Sequence, residues 1–438
     1  MSTAFPTPSH TASTPTPLTA TVPQRQPLKP FEQALAELLA HAAPLQRTET
    51  VSTFEADGRV LAQNLTASLD VPANDNSSMD GYAVRCADWV DTSTLLPVNQ
   101  RIPAGSSGHL LASNSVARIF TGAPIPSGAD AVVMQEECVA LDACVEATGP
   151  ATSSVRIQVQ PKSGQWIRRR GEDVAKGAVV LESGHRLTPA SLGLAASIGF
   201  DKLQVAPKVR VALFSTGDEL VMPGDIAPEA MKPGAIYNSN RFFLRALLQR
   251  LGCIVTDLGI VPDRLDATIA ALQSASKHHD LILTSGGVSV GEEDHIKPAV
   301  QALGTLNIWQ IAIKPGKPFA YGKIDNAHFI GLPGNPVSSF VTFLMLVRPF
   351  ILKLQGASKL APESIAVPAH FHWPKADKRR EFLRAKQNAA GGLSLFENQS
   401  SGVLTSAVWG DGLVDNPPGQ TIAHGDLVQF IPFSLLMS

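Results

Sequence analysis

Cysteine is scarce, with only Cys86, Cys138, Cys144 and Cys253 in 438 residues. None forms a C-x-x-C pair or stands at zinc spacing from histidine, which excludes a zinc ribbon or a dithiol redox motif. So few scattered thiols fit a reducing compartment, and each reads as a small buried hydrophobe. A run of about 18 apolar residues is also lacking, so no membrane span is expected. An excess of one charge is lacking too: 36 Lys and Arg face 38 Asp and Glu, a net charge of −2. That balance argues against nucleic acid as the main partner, because counterion release needs a basic face. A local basic pocket for a small anion stays compatible with it. The N-terminus has neither a charged n-region nor an apolar h-region, so no secretory signal is expected. Its Thr, Ser and Pro bury too little surface to offset ordering, so residues 1–28 read as a disordered tail. The protein is expected in the cytoplasm. G-x-S-x-G, H-E-x-x-H, G-x-G-x-x-G and Walker elements are all missing, which removes the corresponding hydrolase, zinc-protease, dinucleotide and P-loop readings.

What is present describes an ordinary globular protein, 44% hydrophobic and 17% charged. The chain exceeds what one core usually serves, so two to four domains are expected. In FEQALAELLAHAAP, Phe31, Leu35, Leu38 and Leu39 repeat at helical spacing and Pro44 ends the run. From Val60 to about Gly184 short β-like runs alternate with Gly/Pro turns, and the helical stretch PASLGLAASIGF follows. Ala206–Pro207 reads as a linker. Residues 209–355 then alternate apolar strands with helices, which predicts a doubly wound, mostly parallel α/β sheet covered on both faces. Asn238 or Ser239 is available to cap the first of these helices. After Pro362 short strands return, suggesting a small C-terminal β domain.

Ligands of open parallel sheets bind beyond the carboxyl ends of the strands. The first strand leads into Ser215–Leu220, carrying Glu219, and the second into Pro262–Asp263. The third leads into Ser285-Gly286-Gly287-Val288-Ser289-Val290-Gly291-Glu292-Glu293-Asp294, the fourth into Pro333-Gly334-Asn335-Pro336. Gly286, Gly287 and Gly291 can bring bare N–H groups against an anion at a helix start, though glycines also make ordinary turns. The acids 292–294 suit a first helical turn equally well. Glu219, Asp263 and Asp294 at three separate strand ends point further, to Mg²⁺ held beside the anion. Lys314 and Lys317 would add positive charge to the same anion. The arginines at 168–170 read as a solvated turn offset by Glu172 and Asp173. His278 and His279 end a helix, and His370 and His372 share a strand face without a third ligand nearby in sequence.

The sequence resembles the MoeA family, the molybdopterin molybdenumtransferases. The matching segments are Asp75–Ala83, Thr121–Pro124, Arg168–Asp173, Ser215–Leu220, Thr284–Asp294, Lys314–Pro318 and Gly331–Pro336, in family order over about residues 30–350. The resemblance implies four-domain subunits in an elongated homodimer, with a molybdopterin-binding α/β domain at residues 208–357. A discontinuous N-terminal domain (29–66 and 163–207), an inserted β-rich domain (67–162) and a C-terminal β domain (358–438) would flank it. The implied reaction inserts molybdenum from molybdate into adenylylated molybdopterin, releasing AMP, with Mg²⁺ or a similar ion. The pterin would be handed on by a molybdopterin adenylyltransferase. The resemblance assigns Asp263 and Asp294 to the metal or molybdate and sets Glu219 near the pterin. Asp80 and Thr121 would reach in from the other subunit. Ser285, Gly286, Gly287, Ser289 and Gly291 would hold the substrate with Lys314 and Lys317, while Pro333 and Pro336 shape the loop. Two alternatives share the α/β domain: adenylyl transfer to molybdopterin, and a non-catalytic gephyrin-like scaffold. The Asp80 region and the C-terminal domain disfavour the first; the filled acidic positions disfavour the second.

Overall fold

The computed structural model describes residues 1, 27–141, 153–287 and 295–437. Most of the expected tail, Cys144 and the loop segment 288–294 lie outside the described residues.

The α/β domain is built on β1 (Arg210–Thr216), α1 (Asn240–Arg250), β2 (Ile254–Val261), α2 (Leu265–Ser276), β3 (Leu281–Ser285) and α3 (Ile296–Leu303). It continues with β4 (Gly304–Gln310), β5 (Pro318–Ile324), β6 (Ala327–Leu332) and the long helix α4 (Pro336–Leu354). Strand order is β2-β1-β3-β6-β5-β4. The pairs β1–β2, β1–β3 and β3–β6 are parallel. β5 and β4 add an antiparallel edge. Side-chain alternation explains the layers. Val211 and Leu213 face one way, onto Leu244, Leu247 and Leu248 of α1 and the apolar side of α4. Ala212 and Phe214 face the other way, onto Leu272 of α2 and Ala299 and Val300 of α3.

Helix α4 belongs to the first of these layers. With a mean hydropathy of 1.7 over an 18-residue window it is long and apolar enough to cross a bilayer, although Arg348 and Lys353 interrupt it. Of that window, 94% is buried within this fold, which makes α4 a core helix. The Phe31–Ala40 helix, which sequence groups with the N-terminal domain, also joins this core. Its buried face of Phe31, Ala34 and Leu38 lies in the cluster that contains α4.

Residues 49–66 and 179–205 pair across the chain: Glu49–Ser52 with Lys202–Val205, and Leu65–Thr66 with Val179–Leu181. Thr188 caps the Pro189–Ser197 helix by accepting the Ser191 N–H. Between those segments lies a six-stranded sheet within residues 81–157, packed on both faces. The C-terminal sheet runs in the order Ile313–Lys314, Arg380–Gln387, Gly412–Asn416, Leu427–Pro432, Ile365–Pro368. Its first strand thus belongs to the α/β segment. Phe382, Leu413, Ile431 and Phe433 extend the α4 core into this sheet without a break.

Candidate active site

The carboxyl ends of β1, β2, β3 and β6 open into one cleft of about 550 Å³, a size that suits a small organic ligand. Ser215, Thr216, Gly217 and Glu219 line it after β1, Asp263 after β2, Ser285 to Gly287 after β3, and Pro333 to Pro336 after β6. Of the residues expected from sequence, the cleft therefore brings together Glu219, Asp263, Ser285, Gly286, Gly287, Pro333 and Pro336. Ser289, Gly291 and Asp294 lie outside the described residues.

Two glycines explain the shape of the wall. Gly217 has φ +140°, and a Cβ there would meet the Glu219 carboxylate at 2.5 Å. Only glycine lets Glu219 fold back over the β1 end. Gly287 has φ +69°, and a Cβ would meet Ile296 Cγ1 at 2.5 Å, so the β3 loop lies flat against the start of α3.

Asn240 fastens two strand ends. Its Nδ2 donates to Ser285 Oγ at 2.7 Å and to the Gly334 carbonyl at 2.7 Å, while the Gly286 N–H donates to the Leu332 carbonyl at 3.0 Å. Sequence reading missed this role, because asparagine before a helix looks like a cap. Asn238 does accept the Arg241 N–H at 3.3 Å; Asn240 is the second asparagine, which capping does not need. Three cleft-lining residues carry buried polar atoms without a partner among the described residues: Ser215 Oγ, Asn238 Nδ2 and Asn240 Oδ1. Such groups are costly unless a ligand, water or moving segment satisfies them.

Lys314 stands elsewhere. Its Nζ lies 2.8 Å from Glu381 Oε1 and 3.5 Å from Asp377 Oδ2. Glu381 is 1% exposed and also accepts from Trp373 Nε1 at 2.8 Å and Asn416 Nδ2 at 3.2 Å. Lys314 is thus paired with a buried carboxylate, whose desolvation demands a cation. Lys317 is exposed, beside the cleft-lining Pro318.

Asp80 and Thr121 do not line this cleft; they sit together on the inserted sheet. The Asp80 carboxylate accepts the Thr121 N–H and hydroxyl, which hold it below the usual carboxylate range, with Arg118 assisting. The arginine turn is offset more remotely than expected. Arg169 pairs with Asp75 at 2.7 Å and Arg170 with Asp70 at 2.6 Å, while Glu172 takes only the Arg169 N–H. The fold supplies a third histidine to the C-terminal pair: His424 stacks on His370 at 5.2 Å and tilts toward His372 at 6.0 Å. Among the described residues, though, no three His, Cys, Asp or Glu side chains are placed to hold a metal. Glu219 and Asp263 still suit Mg²⁺, which is commonly held by one or two carboxylates plus water and substrate phosphates.

Three family models match in succession: the MoeA N-terminal region (domains I and II) over residues 29–199, a "Probable molybdopterin binding domain" over 212–353, and the MoeA C-terminal region (domain IV) over 366–433. The molybdopterin molybdenumtransferase of Haemophilus influenzae is 43% identical over 81% of this chain and 85% of its own length. Molybdopterin molybdenumtransferase 2 of Mycobacterium tuberculosis is 36% identical over 88% and 94%. The crystal structure of the molybdopterin biosynthesis moeA protein from Pyrococcus horikoshii superposes with a TM-score of 0.78 at 27% identity, covering 93% of this chain and all of that one. Fold, cleft and relatives agree: the chain belongs to the MoeA family.

Proposed function

We propose that this protein is a cytoplasmic molybdopterin molybdenumtransferase. It inserts molybdenum from molybdate into adenylylated molybdopterin and releases AMP in molybdenum cofactor biosynthesis. The observation that carries this reading is the meeting of Glu219 and Asp263 with the Gly286–Gly287 turn and the Pro333–Pro336 loop in one cleft. Backbone N–H groups at the glycine turn can receive phosphate oxygens where no Cβ intervenes.

Glu219 and Asp263 would hold a divalent cation such as Mg²⁺. Bound there, the ion would neutralise phosphate charge that two carboxylates alone repel. Asn240 keeps the β3 and β6 ends at fixed separation, so the substrate meets a preformed wall. Lys317 stands at the rim, where it can attract molybdate or phosphate. Lys314 serves to dock the C-terminal sheet. We further propose a homodimer in which Asp80 and Thr121 of one subunit face the cleft of the other, with the pterin handed on by a molybdopterin adenylyltransferase.

Mixing the full chain with adenylylated molybdopterin, molybdate and Mg²⁺ tests the reading. AMP release that requires both molybdate and the cation, together with molybdenum bound to the pterin, is the expected result. Substrate left intact by a folded protein overturns it.

A further inference from the structure

The inserted sheet carries a feature that the proposed reaction has not used. Tyr82, Arg118 and Arg101 are register neighbours on three adjacent strands, so their side chains share one face. Alternation puts Asp80, two residues before Tyr82, and Phe120, two after Arg118, on that same side. The opposite face is closed by Ala83, Ile102, Ala117 and Ile119. Toward the Val84 and Val116 ends this row disappears into a core; toward Asp80 and Phe120 it opens to solvent.

At the open end two guanidiniums crowd one ring. Arg101 Cζ lies 4.6 Å and Arg118 Cζ 4.7 Å from the Phe120 centroid. Neither has an ion pair among the described residues. Arg118 donates to the Gly81 carbonyl at 3.0 Å and to Gln135 Oε1 at 2.5 Å, both neutral. Arg101 is exposed, and its donors take no acceptor among the described residues. The ring attraction positions both planes; the Arg101 fork has no acceptor among the described residues, while Arg118 spends one N–H of each terminal nitrogen on a neutral partner and keeps its charge. Two like charges held together this way are best offset by an anion with more than one oxygen. Asp80 and Glu136, which accepts from Gln135 Nε2, stand at the Arg118 end. The anion's place is therefore the Arg101 side.

We propose that Arg101 and Arg118, braced on Phe120, form an oxyanion platform that receives a phosphate of the substrate on the Arg101 side. This rests on the proposed function, in which the Asp80 face meets adenylylated molybdopterin. Both arginines are then substrate-binding residues, and the platform reads the phosphoanhydride and not the pterin ring.

The test compares the full-length wild type with R101Q, R101K and R118Q. R101Q is the primary variant, because Arg101 makes no hydrogen bond among the described residues whose loss would disturb the fold. Its KM for adenylylated molybdopterin should rise about tenfold, with kcat kept within about threefold. R101K should fall between, since an ammonium lacks the planar fork. R118Q should raise KM in the same direction. Inorganic pyrophosphate, titrated calorimetrically without molybdate, should bind R101Q more weakly than wild type by a similar factor. Unchanged KM together with unchanged pyrophosphate affinity in folded R101Q overturns the platform. If the wild type itself inserts no molybdenum, the proposed function fails and the pyrophosphate titration alone decides: equal affinities then reject the platform, and weaker binding by R101Q retains it as a phosphate site.

Discussion

Asp80 and Thr121, 41 positions apart, are joined through one carboxylate oxygen, which accepts both the Thr121 N–H and the Thr121 hydroxyl at 2.8 Å. These bonds stabilise the charged form, so Asp80 stays ionised below the pH at which a free carboxylate takes up its proton. In T121V the hydroxyl bond is lost and the N–H bond kept. The acid limb of the molybdenum-insertion profile should then move to higher pH, with little change near neutrality. A limb that stays in place would show that Asp80 ionisation does not govern the reaction.

Asp263 offers the direct test of the cleft. D263N keeps size and shape while removing a charge that would hold a divalent ion, and a loss of about 100-fold or more in molybdenum insertion is expected. Raising Mg²⁺ should recover part of it. A well-folded D263N protein inserting molybdenum at a near-normal rate would reject the assignment. E219Q should follow the same pattern, since Glu219 lines the same space.

Lys314 is expected to matter for stability. Removing its charge in K314M strands the buried Glu381 carboxylate, although Asn416 and Trp373 still donate to it. Lys314 is 37% exposed, so the loss should fall somewhat below the range for broken buried pairs, about 2–3 kcal/mol. Urea unfolding measures it. K314M combined with E381Q should recover much of the deficit, because no unpaired charge then remains.

Much of the α/β domain was legible because buried parallel strands make short apolar runs between amphipathic helices. The strand-end positions of Glu219, Asp263 and Pro333 followed from that alternation. The antiparallel strands β4 and β5 were not legible. They lie in GTLNIWQ and PFAYGKI, and the second begins at a proline inside a turn-rich segment. The partner of Lys314 was equally hidden: Glu381 is 67 residues away, and only the pairing of Ile313–Lys314 with Arg380–Glu381 brings it near. Local spacing cannot report a charge pair made by a distant sheet register. The same holds for Asn240, whose hydrogen bonds reach 45 and 94 residues along the chain.

His328 provides a pH prediction. Burial, chiefly, pushes its pKa down to about 4, so it is neutral in the fold, where it lies 2.9 Å from the Tyr321 hydroxyl. The unfolded chain takes up a proton near the ordinary value of 6.5, and the folded chain does so only near 4. Unfolding therefore gains a proton between those values, and stability must fall as pH drops through that window. Between pH 7 and pH 5 this histidine should remove about 2 kcal/mol. H328Q, which keeps a hydrogen-bonding side chain without a titration, should flatten that part of the stability profile in urea titrations.

The strand Ile313–Lys314 ends four residues before Pro318, which lines the cleft, yet it pairs within the C-terminal sheet. The C-terminal sheet is therefore not an appendage that could be trimmed away or swung aside independently. A chain cut short before Arg380 would bare the edge of this strand and unseat the core residues Phe382 and Phe433. Any tilt of that sheet would be conducted along a few peptide units to the mouth of the cleft. A strand outside the cleft lining thus ties the C-terminal sheet to the mouth of the candidate active site.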